Sequence, residues 1–288
     1  MALTLGSCSD NENGIGGETS KYITVSTSIG NMTRVATDEK GGQTFEEGDE
    51  ISVYAWTGDA TVAPETRERV VNNAINKLTN GSWVSTPQML WKNNRDKHYF
   101  IGVYPISAIS DLSAGEYTFD ETKQVESDLL VAVNKDGLSY NVDEQQPVPL
   151  TFTHVMAKLV VNLTYKNQWG GIPTVEKVVV GNAAKEATIN YLTKVVTPST
   201  TAKEDFSLPE ITENTKYVSV IIPQEDVKQL TIVIGGKNFV YDNGTPFKLE
   251  SGKITTVNLE VGRDEIKLGD VKITDWENGS TFSGEALN

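Results

Sequence analysis

The side chains that could do chemistry in this chain are few in kind. Carboxylates gather in two places, at Glu46, Glu47, Asp49 and Glu50, and at Asp143 and Glu144. Two carboxylates facing each other at a set separation hydrolyse glycosides; neighbouring acids on one turn are ordinarily solvated charge. Histidine occurs only at His98 and His154, and cysteine only at Cys8. One thiol builds neither an intrachain disulfide nor a cysteine zinc site, and the two histidines offer no metal pair at helical spacing. His154 lies within an apolar run, where a hydrogen-bonded core histidine is expected. Neither a phosphate-cradling glycine loop nor a calcium loop of alternating acids is present. Trp56, Trp83, Trp91, Trp169 and Trp276 are either a sugar-stacking platform or core anchors. No catalytic residue, metal or cofactor is assigned.

The elements that position these residues are read around one stretch, Leu150–Leu163 (LTFTHVMAKLVVNL). It has no Gly or Pro, and it opens on Thr and Phe, which suit a pleated, half-buried surface. Leu150, Phe152 and Met156 share one parity; Ala157, Leu159, Val161 and Leu163 share the other. Strand side chains alternate with period two, so a parity switch near His154–Ala157 predicts a bulge or a crossing between layers. Pro147-Val148-Pro149 just before the run is a natural junction between two halves.

Before it, Tyr22–Ile29 alternates, with Ile23, Val25, Thr27 and Ile29 on one face. Ile51–Trp56 is a second strand after the turn at Phe45–Glu50. Asn80-Gly81 within Ala74–Val84 marks a hairpin, and Glu65–Val71 a helical turn. Met89–Trp91, Tyr99–Tyr104 and Leu129–Val133 are further apolar runs. After it, Val175–Val180, Ala187–Leu192, Tyr217–Ile222, Leu230–Ile234, Phe239–Tyr241, Thr255–Val261 and Val271–Trp276 read as strands. No long segment has a 3.6-residue period. Short strands punctuated by turns argue an all-β sandwich architecture, about fourteen strands at about seven per half.

Composition limits the partners. The chain has 288 residues, 38% apolar, with a net charge of −14. That excess repels nucleic acid and anionic membrane surfaces, and no run of roughly 18 apolar residues could cross a bilayer as a helix. At the N-terminus, Leu5-Gly6-Ser7-Cys8 has the pattern of a bacterial lipobox, with Cys8 as the lipid attachment site. An acidic, glycine-rich tether follows it. The cationic and longer apolar segments of a signal peptide do not precede it. Either the chain starts late, or the pattern is a coincidence and Cys8 is a free thiol.

Several segments agree, in order, with one family: the lipobox at Cys8; Thr33-Arg34-Val35-Ala36-Thr37; Phe45-Glu46-Glu47-Gly48-Asp49-Glu50-Ile51-Ser52-Val53-Tyr54-Ala55; Trp91; Tyr104-Pro105; Asp128–Ala132; Leu150–Leu159; and Ile273-Thr274-Asp275-Trp276. Together they resemble the fimbrillins of Bacteroidetes, the FimA/Mfa-like surface pilins. The resemblance implies two tandem transthyretin-like β-sandwich domains, at 21–147 and 148–288, behind a signal remnant and tether at 1–20. It implies a lipoprotein anchored to the outer membrane at Cys8, displayed at the cell surface in a fimbrium. A trypsin-like maturation protease would cut between Arg34 and Val35. The displaced strand would carry Tyr22, Ile23, Val25, Thr27 and Ile29. An extended segment of another subunit would then fill the groove by strand addition, growing a filament of fimbrial subunits. Val271, Ile273 and Trp276 are the candidate donor strand. A host or bacterial surface receptor is a further partner. The chain would be a structural adhesion protein and not an enzyme; the rival readings are a non-polymerising glycan-binding lipoprotein and a glycosidase.

Overall fold

The computed structural model describes residues 21–30, 44–141, 146–242 and 244–276. Cys8, Arg34, Val35, Asp143 and Glu144 lie outside the described residues. From the first half of the chain come β1 (Val25–Ile29), β2 (Glu50–Thr57), β3 (Arg69–Thr79), β4 (Ser82–Thr86), β5 (His98–Tyr104), β6 (Gly115–Thr118), β7 (Leu130–Leu138) and β8 (Val148–His154). The second half supplies β9 (Ala157–Tyr165), β10 (Val175–Ala184), β11 (Glu186–Asn190), β12 (Val195–Pro198), β13 (Lys203–Leu208) and β14 (Glu210–Thr212). It continues with β15 (Lys216–Ile221), β16 (Gln229–Ile234), β17 (Lys237–Asp242), β18 (Lys253–Val261) and β19 (Ile266–Asp275). The described chain is almost entirely strand and turn, the all-β class expected; the helical turn expected at Glu65–Val71 is a 3-10 turn at Thr66–Glu68.

Four sheets form. A seven-stranded sheet runs β1-β8-β7-β5-β2-β3-β4, and the others are β14-β15-β9-β18-β19, β13-β10-β16-β17 and β12-β11-β6. Asn80 and Gly81 make the β3–β4 turn with φ of 51° and 73°. This left-handed pair matches the twist of the strands it joins.

The central run splits as its parity predicts. β8 buries Val148, Leu150, Phe152 and His154; β9 buries Ala157, Leu159, Val161 and Leu163. Val155 and Met156 between them are also buried, and there the chain crosses from the seven-stranded sheet to the five-stranded one. The division expected after residue 147 falls between β7 and β8, which pair with each other; the change of sheet comes at Val155–Met156.

Burial explains why the middle of the large sheet is apolar on both parities. One face of it packs Ile51, Val53, Ala55, Phe100, Ala132, Leu150 and Phe152 into a core closed by Ile23, Val25 and Ile29. The other face sends Tyr54, Trp56, Ile101, Val103 and Val131 into a second core shared with β9, β10, β16 and β18. A strand buried on both sides reads as a continuous apolar run, as β2 does. The halves are also joined by hydrogen bonds, because β6 pairs with β11.

Candidate functional site

The segment 21–30 closes the seven-stranded sheet from its edge. The alternation expected of Tyr22–Ile29 holds, although the regular strand begins only at Val25. Ile23, Val25 and Ile29 are buried, at 2%, 6% and 8% exposure, and Thr27 shares their parity. Tyr22 lies on the other face and is exposed, bridging to Leu90.

The segment straddles a seam. Its beginning pairs with residues 89–91: Ile23 N donates to Met89 O at 2.9 Å, and Trp91 N donates to Lys21 O at 3.2 Å. Its end pairs in parallel with β8, from Val25 opposite Val148 to Ile29 opposite Phe152. Across the seam lies β4, the other edge of the sheet. A groove between them is lined by Thr24–Ile29, Phe45, Leu78, Trp83 and Pro147. Trp83 Nε1 donates to Thr27 Oγ1 at 3.0 Å. Phe45 meets Trp83, Tyr104 and Phe152 edge-on, with centroids 5.3, 5.4 and 5.1 Å away. β1 is thus a short edge strand whose inward row stoppers an aromatic-walled core. Three buried aliphatic side chains stabilise such a strand by on the order of 5 kcal/mol.

The acids beside this groove are structural. Asp49 accepts from Glu46 N at 2.7 Å, Glu47 accepts from Asn80 N at 2.8 Å, and Glu50 pairs with Lys77 at 3.2 Å. They cap the turns flanking β2 and the β3–β4 hairpin. Burial, and then Asp49, push the Tyr104 hydroxyl up to about 12, so it stays neutral. His98 is fully buried between a donor, Lys92 N, and an acceptor, Asp96 O; burial holds its pKa below the ordinary value. Among the described residues no group of three or more His, Cys, Asp or Glu side chains could hold a metal, and no helix is long and apolar enough to cross a membrane. The tryptophans are dispersed: Trp56 packs with Tyr99, Trp83 with Phe45, Trp91 with His98, Trp169 with Phe239, and Trp276 with His154.

Of the C-terminal candidate residues, Val271 and Ile273 lie on β19, an edge of the five-stranded sheet, and Trp276 follows its last residue. Val271 and Ile273 pair with Val257 and Thr255 of β18. They share the inward parity of those buried residues, yet remain 37% and 40% exposed. Trp276 is buried against His154, which is the hydrogen-bonded core histidine expected: its Nδ1 lies 2.8 Å from Asp128 Oδ1.

Lys158 lies 4.8 Å from the Trp276 ring centroid and is almost fully buried. Burial pushes its pKa down to about 8. Between pH 8 and the ordinary lysine range the unfolded chain holds a proton that the folded chain has lost, so stability rises with pH across that interval. The full gain is about 3 kcal/mol. Lys158→Met should remove it. Urea midpoints measured from pH 7.5 to 10 should climb for the wild type relative to the variant, and parallel curves would sink the assignment.

Phe45, read in the chain as part of a turn, and Trp83, read as a platform or core anchor, wall the groove together; Met89, read as the start of an apolar run, is buried in the core they pack against. Phe45 opens the Phe45–Ala55 motif, and Trp83 follows the Asn80-Gly81 turn, so both had a local signal; Met89 had none beyond its apolar neighbours.

A family model described as fimbrillin-like matches residues 33–276. No curated protein matches the chain by sequence. Among solved structures, a Bacteroides uniformis protein assigned to cell adhesion superposes with a TM-score of 0.66 at 19% identity, covering 88% of this chain and 98% of that one. A fimbrial protein of Bacteroides vulgatus gives 0.53 at 12%, covering 78% and 92%. The tip fimbrial protein Mfa3 of Porphyromonas gingivalis, truncated at its C-terminus, gives 0.51 at 11%, covering 80% and 95%. These likenesses share the fold, and the family match takes in the groove from Phe45 onward and the whole of β19: the chain belongs to the fimbrillin-like family.

Proposed function

We propose that the chain is a fimbrial subunit or fimbrium-associated adhesin of the bacterial surface, with a binding and structural role and not an enzymatic one. Assembly proceeds by removal of β1 and its replacement by a strand from another subunit. The observation that carries this reading is the placement of β1. It is an edge strand in parallel register with β8 alone, and its inward row seals a preformed apolar core. Its loss would leave the β8 edge unpaired beside an open groove, and a free edge with apolar pockets templates another strand.

Arg34 and Val35 follow shortly after β1 in sequence, so a cut between them by a trypsin-like protease frees that strand. Cys8, on the released piece, would carry the lipid that tethers the precursor to the outer membrane. Val271 and Ile273 on β19, and Trp276 just after it, are the candidate donor residues, the first two being apolar, alternate and half exposed. A surface receptor completes the partner set for an adhesin. Two tandem domains, 21–147 and 148–288, remain part of this proposal.

Limited trypsin digestion of the folded chain, with mass spectrometry and gel electrophoresis, tests the reading. An early cut after Arg34, loss of residues 1–34 and a ladder of detergent-resistant oligomers is the expected result. A cut without oligomers would favour the adhesin over the polymerising subunit. Resistance at Arg34 in an intact fold would overturn the mechanism.

A further inference from the structure

We infer that Trp276 is a releasable latch for β19, its indole held by stacking on the imidazole of His154 and by the nearby ammonium of Lys158. β19 is attached unevenly. Among the described residues it pairs only with β18, and of its ten residues every one after Ile266 is exposed. The ladder also slips at a bulge next to Gly269, between the Asn258–Asp270 and Leu259–Leu268 pairs. Little burial along the strand therefore opposes its departure.

The end of the strand is different. Trp276 is 8% exposed, and its ring lies 4.0 Å from that of His154 at an interplanar angle of 5°. The Lys158 ammonium stands 4.8 Å from the indole centroid; a cation over an indole face is attracted by the ring quadrupole.

The seat is prepared by other parts of the fold. Asp128 holds His154 Nδ1, while His154 Nε2 is buried without a hydrogen-bond partner, so the imidazole presents a face and not a second bond. Gly252 O accepts from Trp276 N at 2.9 Å, and Gly252 N donates to Met156 O at 2.9 Å. Ser251 Oγ donates to Val155 O at 2.9 Å. An ion pair between Lys253 and Asp275 closes the same end. The floor of the seat is thus the crossing between the two large sheets at Val155–Met156. Of residues 267–276 only Trp276 is buried, so the strand should loosen as a unit from its C-terminal end when the indole leaves. The reading of β19 as donor enters only in what the freed strand does next.

Hydrogen exchange with mass spectrometry on the full chain tests the latch. In Trp276→Ala, exchange across residues 266–275 should accelerate about tenfold or more, while β9 keeps its rate. Trp276→Phe should fall between the variant and the wild type. Ile273→Ala, on the same strand but half exposed, should change it little. Unchanged exchange in Trp276→Ala would overturn the latch, and so would acceleration spread equally into β9, or an equal effect of Ile273→Ala. After trypsin treatment Trp276→Ala should also form oligomers faster. Faster exchange of β19 without faster assembly would leave the latch standing and remove β19 as the donor.

Discussion

Phe152→Ala should destabilise the protein by about 3–5 kcal/mol, the range for deleting a buried aromatic side chain, read as a drop in the urea midpoint. Phe152 is fully buried on β8, directly opposite Ile29 of β1. Its ring lies over the backbone of β5 at Gly102, where an added Cβ would stand 2.6 Å from Phe152 Cζ and 3.1 Å from Leu150 Cδ1. The missing side chain at Gly102 is what lets the tip of the ring approach there, and Phe45 packs against the same ring edge-on, 5.1 Å between centroids. Truncation opens a void beneath β1 that this rigid frame cannot collapse into. Gly102→Ala on its own should also destabilise, because a central strand has nowhere to shift. The two changes should not add: in the Phe152→Ala background the new methyl enters the void, and its cost should fall or reverse. A double-mutant cycle by urea denaturation reads this coupling. Strict additivity would mean that the ring does not occupy the space above Gly102.

Where the decisive physics lies within a few residues, the fold was legible in the chain. The inward row Ile23, Val25, Thr27 and Ile29 is a plain alternation, and it is the row that faces the core. Asn80-Gly81 can hardly be anything but a left-handed hairpin turn, and it places Trp83 on the seam. The parity switch in Leu150–Leu163 anticipated a crossing of layers, because a strand cannot change its buried face without leaving its sheet or bulging.

What stayed illegible depends on distant partners. β6, Gly115–Thr118, has little apolar content of its own and becomes a strand only by pairing with β11 from the other half. The first part of β19 reads as a loop, since Lys267, Gly269 and Asp270 interrupt its apolar residues; its register comes from β18. The seat of Trp276 draws on Asp128, His154, Lys158 and Gly252, three separate stretches of chain besides its own. No spacing announces a site of that kind, and an aromatic residue near a terminus looks the same whether it is seated or free.

Val25→Asp should undock β1 without any cut in the chain. Val25 is 6% exposed in the middle of the inward row, and an unpaired carboxylate buried there costs several kcal/mol, comparable with the whole hold of the strand on its groove. The least costly response is for β1 to leave. The backbone bonds that flank it would go with it: Val148 N donates to Thr24 O at 2.8 Å, and Gly30 N donates to Phe152 O at 2.7 Å. Exchange at the β8 amides that face β1 should then rise towards that of a free sheet edge, while β5, in the sheet interior, stays protected. Ser26→Asp supplies the comparison, because Ser26 is exposed on the opposite face of the same strand and the charge there meets water. If the two variants exchange alike, the inward row is not what holds β1. If Val25→Asp alone opens the edge, the proposed function makes one further demand. The variant should assemble into oligomers with no protease present, because the cut after Arg34 would serve only to release a strand that the aspartate has already driven out.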